Sequence, residues 1–312
     1  MNAAIIGAGS IGVAFAVVFS RARCQVRLYD PDESRRLAAA AELAQCLEDL
    51  KSYQLLDESP EVVAARVQIV DDIETAVRDA NLVQECAPEK VELKREIFQR
   101  LAAAAPASAV LASSSSALPA SAYAPEGEAR GRCLVAHPGN PPYLIPVIEI
   151  VPAPFTSASC VALANALYRS CGLSPVRVRK EVEGFIFNRL QGAVLREAYC
   201  LVRDQVADVE DIDTVMRDGL GLRWSFMGPF ETVDLNTRGG IASHALKMGP
   251  AYARMGAERG QNDPWYPELV ATVDAQRRDR VPLERWADRV RWRDRMLMRL
   301  QRMRRAESDP AN

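Results

Sequence analysis

The chain has 312 residues, 48% hydrophobic and 26% charged, with a formal net charge of −2. That length allows two domains, and the even charge balance gives no global case for a nucleic-acid or membrane-surface partner. No apolar run approaches the roughly 18 residues that span a bilayer, the start does not resemble a signal peptide, and seven cysteines without a CxxC pair read as reduced thiols, so a cytoplasmic protein is expected.

The first element is a short strand, Asn2 to Ile6, that runs straight into Gly7-Ala-Gly9-Ser10-Ile11-Gly12 and an apolar helical stretch over 13–19. Gly7 permits a tight turn, Gly9 lets backbone approach a pyrophosphate, and Gly12 lets helix pack closely on strand. The amides of the new helix N-terminus, at Ser10, Ile11 and Gly12, point at the phosphates. A second strand over 24–30 ends in Asp30, where a carboxylate grips the adenosine ribose hydroxyls. The cofactor expected is NAD and not NADP, because a second phosphate would meet the charge of Asp30. Arg35 and Arg36 read as decoration of the following helix.

Helical sequence fills 31–50 and, more loosely, the stretch to 65. A strand is expected over 67–70, a short helix over 72–80, a strand over 82–86 and a helix over 91–103. Strands recur over 109–112, 133–136, 147–151 and 176–179. This alternation predicts an α/β fold, a mostly parallel Rossmann-type sheet wound on both faces by helices. From Glu183 the pattern turns helical: 185–202, then 209–217 with Asp208 as N-cap and Gly219 as stop. Further helices are expected around 267–277 and, with basic character, from 283 to about 305. The expected division is therefore a NAD-binding domain over 1–181 and an all-α substrate and dimerisation domain over 182–312, with 307–312 disordered. Arg299, Arg302, Arg304 and Arg305 suit a helix C-terminus, and Trp286, Val290, Leu297 and Leu300 give that helix a face to bury.

The chain has two histidines and no Cys/His cluster, so no metal site is expected. His137 ends an apolar strand before the stiff loop Pro138-Gly-Asn-Pro-Pro142, and Glu149 follows on the next strand. Imidazole suits removal of a hydroxyl proton near neutral pH. A carboxylate on its other nitrogen would fix the tautomer and stabilise the imidazolium. His244 carries no such setting.

The segment Ala136-His-Pro-Gly-Asn-Pro-Pro-Tyr-Leu-Ile-Pro-Val-Ile-Glu149 resembles the active-site stretch of the 3-hydroxyacyl-CoA dehydrogenase superfamily, nearest to its λ-crystallin / L-gulonate 3-dehydrogenase branch. The resemblance continues through Gln84-Glu-Cys-Ala-Pro-Glu89, Ser113 to Ser116, Glu183-Gly-Phe-Ile-Phe-Asn188 and Asp218-Gly-Leu-Gly-Leu-Arg223-Trp-Ser-Phe-Met-Gly-Pro-Phe-Glu231, then Leu235-Asn236. It implies His137 as general base, Glu149 as its orienting carboxylate, and Ser116 and Asn188 as hydrogen-bonding partners of the reacting oxygen. Residue types alone do not choose among the four consecutive serines. Glu89 and Lys94 are implied near the nicotinamide end of the cofactor. Arg223 departs from the acyl-CoA enzymes, whose matching segment lacks a cation, and a guanidinium grips a free carboxylate. The expectation is NAD-dependent oxidation of a small 3-hydroxy acid by a homodimer, in a cleft between domains. The alternatives are a 3-hydroxyacyl-CoA dehydrogenase, a carnitine 3-dehydrogenase with Trp224 and Tyr143 as cation cage, and a noncatalytic crystallin-like NAD-binding protein.

Overall fold

The computed structural model describes residues 1–225, 228–236 and 240–260, and separate positions from 268 to 303. The run after Met1 forms β1 (Asn2–Ile6), and Gly7 turns it into α1 (Ser10–Arg21). Every residue of α1 from 12 to 20 is buried, which is why its sequence is apolar on all sides and carries no amphipathic stripe. The one hydroxyl in that buried run, on Ser20, donates to the carbonyl of Ala16 at 2.6 Å.

Next come β2 (Gln25–Tyr29), α2 (Glu33–Ser52), α3 (Pro60–Ala64), β3 (Val67–Val70) and α4 (Ile73–Val77). Asp32, Ser59 and Asp72 cap α2, α3 and α4 by accepting from first-turn amides. Then follow β4 (Leu82–Glu85), α5 (Val91–Ala104), β5 (Val110–Ser113), β6 (Cys133–Pro138), β7 (Val147–Pro152), α6 (Ala158–Ser170) and β8 (Ser174–Arg177).

The eight strands lie in the order β3-β2-β1-β4-β5-β6-β7-β8. All pairings from β3 to β6 are parallel, β7 runs antiparallel to β6, and β8 is parallel to β7. This is the Rossmann order with two strands added, as the alternation of elements predicts. The parallel β7–β8 pair needs a crossover, and α6 supplies it. Alternate strand residues feed two apolar layers. Ala3, Ile5, Leu28 and Ala136 pack with α1, α2 and α6, while Ala4, Ile6, Val83 and Val135 pack with α4 and α5.

Backbone proximity divides the chain into two compact units, Met1–Arg189 with Arg291–Asn312, and Leu190–Val290. The first unit thus runs past residue 181 into the first turn of α7 (Phe187–Arg203), and it includes Met298, 3% exposed within the α1/α2 layer.

The second unit holds the rest of α7, then α8 (Val209–Thr214), α9 (Gly221–Trp224), α10 (Pro229–Asn236) and α11 (Gly240–Arg259). Gly219 does not stop the helix. A π-helical turn, Val215–Leu220, carries α8 into α9. Gly221 permits it, since a Cβ there would lie 2.6 Å from the Met216 carbonyl oxygen. Asp208 stands at the N-cap of α8, yet its side chain makes no capping bond. The helices expected around 267–277 and 283–305 fall mostly outside the described residues, as do Trp286, Val290, Leu297, Arg304, Arg305 and 307–312. Arg299, Leu300 and Arg302 are exposed. No helix among the described residues is long and apolar enough to cross a membrane.

Candidate active site

The glycine turn lies at the carboxyl end of β1, where the order reverses between β1 and β4. Gly7 has φ +111°, and a Cβ on it would come within 2.9 Å of the Cys86 carbonyl on the neighbouring loop. A Cβ on Gly12 would meet the Gly7 carbonyl oxygen at 1.9 Å, whereas one on Gly9 would meet nothing within 4 Å. Gly9 therefore presents bare backbone to open space. As N-cap of α1 it brings no capping side chain, so the amides of Ser10, Ile11 and Gly12 have no acceptor inside the helix. That combination fits a pyrophosphate.

Beside the turn opens a cleft of about 640 Å³ lined by Gly7, Gly9, Tyr29, Asp30, Ile73 and Ile97 among others. One Asp30 oxygen accepts from Ala8 N–H at 2.7 Å and the other from Asp32 N–H at 3.0 Å. The carboxylate is thereby fixed at the end of β2, with lone pairs left for ribose hydroxyls. Apolar walls with one fixed carboxylate fit the adenosine half of NAD.

β6 brings His137 to the same carboxyl edge, three strands from β1, a lateral reach of about 14 Å at normal strand spacing. His137 and Glu149 are directly opposed in the β6–β7 register, so both side chains leave the same face. Nδ1 of His137 lies 2.7 Å from Glu149 Oε2. The other carboxylate oxygen accepts from the N–H groups of Ile186 at 2.7 Å and Phe187 at 2.9 Å. Glu149 thus sits on the N-terminus of α7, where amides and helix dipole favour its charge. Such a partner makes Nδ1 the donor and leaves Nε2 to accept; Nε2 has no protein partner among the described residues. The rings of Phe185 and Phe187 flank the imidazole at 5.6 and 6.3 Å.

The four serines follow β5 and divide by environment. Ser113 donates to Glu85 Oε2 at 2.5 Å, Ser114 to the Glu85 carbonyl at 2.7 Å, and Ser115 lies 2.5 Å from Glu89. Ser116 alone is exposed, and its hydroxyl has no protein partner among the described residues. Its carbonyl accepts from Asn188 Nδ2 at 3.3 Å, which brings Ser116 and Asn188 together. Glu89 also accepts from the amides of Ser116, Ala117 and Leu118. Partial burial pushes its carboxyl up, but the Ser115 hydroxyl and these amides outweigh that and hold it below the usual range. Lys94 is 1% exposed. Its ammonium lies 2.8 Å from both Glu85 oxygens and 3.3 Å from the Ala87 carbonyl and Ser113 Oγ. Lys94 and Glu85 therefore tie the loop after β4 to the loop after β5 from beneath, and Lys94 does not reach the surface.

The chain matches the model of the 3-hydroxyacyl-CoA dehydrogenase NAD-binding domain over residues 2–182 and that of the family's C-terminal domain over 184–281. It belongs to the 3-hydroxyacyl-CoA dehydrogenase family. It is 37% identical to lambda-crystallin of Oryctolagus cuniculus, covering 96% of this chain and 95% of that protein. It is 39% identical to L-carnitine dehydrogenase of Pseudomonas aeruginosa, covering 80% and 77%. Among solved structures, a 5-formyl-3-hydroxy-2-methylpyridine 4-carboxylic acid 5-dehydrogenase, an NAD+-dependent dismutase, superposes with a TM-score of 0.81 at 28% identity over 97% of each chain. This family member is an NAD-dependent oxidoreductase acting on CH–OH donors.

In the second unit, Arg223 on α9 has its Nε buried without a hydrogen-bond partner among the described residues. Asp218, an acid five residues earlier in the chain, is bound by Arg217 at 2.9 Å; the Glu231 side chain lies outside the described ones. Tyr143 is no part of a cation cage at His137. It packs on the α1/α2 layer, and its hydroxyl lies 3.7 Å from Cys46 Sγ, on the sheet face opposite to His137. Sequence reasoning missed Glu85 and the two α7 amides. The run Glu183-Gly-Phe offers one signal for the amides: Gly184 and Phe185 adopt φ +73° and +48°, and Phe185, lacking glycine's freedom, is strained there.

Proposed function

We propose that this dehydrogenase oxidises the 3-hydroxyl of a small 3-hydroxy acid with a free carboxylate, L-gulonate or a close analogue, to the 3-keto acid. The observation that carries the reading is the buried His137–Glu149 pair with Nε2 uncommitted at the strand edge that bears the glycine turn. His137 Nε2 removes the hydroxyl proton, and Glu149, held by the α7 amides, stabilises the imidazolium that forms. The Ser116 hydroxyl and the Asn188 amide hold the reacting oxygen and fix which face of the carbinol is presented. NAD, when bound, supplies the acceptor for the hydride that leaves C3. Residues 1–181 bind the cofactor, and 182–312 contribute substrate contacts and the contact of a homodimer in the cytoplasm.

Arg223 supports a free acid over a CoA thioester, because its buried Nε is without a partner among the described residues and a carboxylate satisfies a guanidinium with parallel bonds. The test is a panel of L-gulonate, 3-hydroxybutyrate, L-carnitine and 3-hydroxybutyryl-CoA with NAD. Turnover highest with a free hydroxy acid, and a KM for it that rises at least about tenfold in Arg223→Met with little change in kcat, is the expected result. Preference for the CoA ester with unaltered kinetics in Arg223→Met overturns the substrate assignment. Preference for L-carnitine, the substrate in the name of one relative, moves it to a cationic acid. NADH binding without turnover of any of the four returns a noncatalytic role.

A further inference from the structure

At the ribose end of the adenosine cleft, beside Asp30, Pro31 and Asp32, stands Arg35. It lies in the first turn of α2, five residues after Asp30, and an arginine near that acid is the ordinary receptor for the 2′-phosphate of NADP. Here its fork is closed. Nη1 and Nη2 each donate to a Glu42 oxygen at 3.2 Å, and Nη2 also donates to the Ala8 carbonyl at 2.6 Å. Glu42 is two turns further along the same helix. Arg36 turns to the main chain instead, its Nη1 donating to the carbonyls of Asp30 and Pro31 at 2.8 and 3.2 Å.

We infer that Glu42 is a specificity-determining residue for the cofactor: by occupying the Arg35 fork it withholds that cation from a 2′-phosphate. Preference for NAD then rests on two acids with different tasks. Asp30 meets the ribose and repels a phosphate placed there, while Glu42, which does not touch the cofactor, positions Arg35. The Arg35 and Glu42 side chains are 37% and 43% exposed, so the ion pair adds little to stability. A dianionic phosphate with three acceptor oxygens would compete well for the freed fork, because Arg–phosphate pairing is bidentate and charge-assisted. The inference rests on the NAD site and is independent of the hydroxy-acid reading.

The experiment measures binding of adenosine 2′,5′-bisphosphate and of ADP by calorimetry. It uses the full chain, Asp30→Ser, Asp30→Ser/Glu42→Gln, and that pair with Arg35→Met. Adding Glu42→Gln to Asp30→Ser should tighten the bisphosphate by about tenfold, the size of one charge-assisted bond. The gain should fall on the bisphosphate and not on ADP, and Arg35→Met should remove it. The ratio of kcat/KM for NADP to that for NAD should move in the same direction. Unchanged bisphosphate affinity on adding Glu42→Gln, equal tightening of ADP, or a gain that survives Arg35→Met would each overturn the assignment.

Discussion

His137 sets Nδ1 against Glu149 because the two are directly opposed in one cross-strand register, and its Nε2 has no protein partner among the described residues. Replacing it with alanine should lower turnover by about 10²–10⁴-fold. NADH affinity, read by fluorescence titration, should hold, because His137 is not among the residues lining the adenosine cleft. Turnover at the parent rate would remove it from the mechanism. Lys94 makes a different kind of claim. Lys94→Met would strand Glu85, which is fully buried, and should cost about 3–5 kcal/mol in urea unfolding. Adding Glu85→Gln should recover much of that loss. If Lys94→Met unfolds like the parent, the pair is not the tie between the two loops.

The elements that matter most are β7 and the start of α7, since one carries Glu149 and the other binds it. Gly184 and Phe185 hold left-handed backbone so that the next two amides face the carboxylate. Gly184→Ala should therefore destabilise the fold by about 1 kcal/mol and also lower turnover, as the amides shift off Glu149. A thermal melt and a kcat measurement on the same preparation separate the two effects; a full kcat would mean that the amides are not needed. The strands and the first helices were legible because apolar periodicity and the glycine turn are local signals. The continuation through Gly219 was not. Glycine after a helical run ordinarily marks a stop, and here a wide turn closed at Gly221 overrides it.

At the scale of the molecule, the doubly wound sheet gathers Gly7, Asp30, Ser116 and His137 at the carboxyl ends of parallel strands, although 130 positions separate the first from the last. The C-terminal segment also takes part in the first unit, through Met298. Met298→Ala should cost about 2–5 kcal/mol by opening a cavity against α1 and α2. Equilibrium denaturation checks this, and a midpoint equal to the parent's would mean that the segment contributes nothing to that core. The sequence marks a face to bury on this segment, at Trp286, Val290, Leu297 and Leu300, but helical spacing does not say which layer of the fold the segment joins.

The amino-acid order by itself determined the Rossmann class, the cofactor and the identity of His137 and Glu149 as a pair worth seeking. Those depend on short-range patterns: strand, glycine turn, helix and acid in succession, and titratable groups at neighbouring strand ends. Only the tertiary structure decided that Ser116 is the exposed serine whose hydroxyl has no partner among the described residues, that Glu85 neutralises Lys94, that Tyr143 belongs to the opposite face, and that Arg35 is held by Glu42. The reason is physical. Burial and hydrogen-bond partnership are properties of the space around a side chain, and that space is filled by residues far away in the chain.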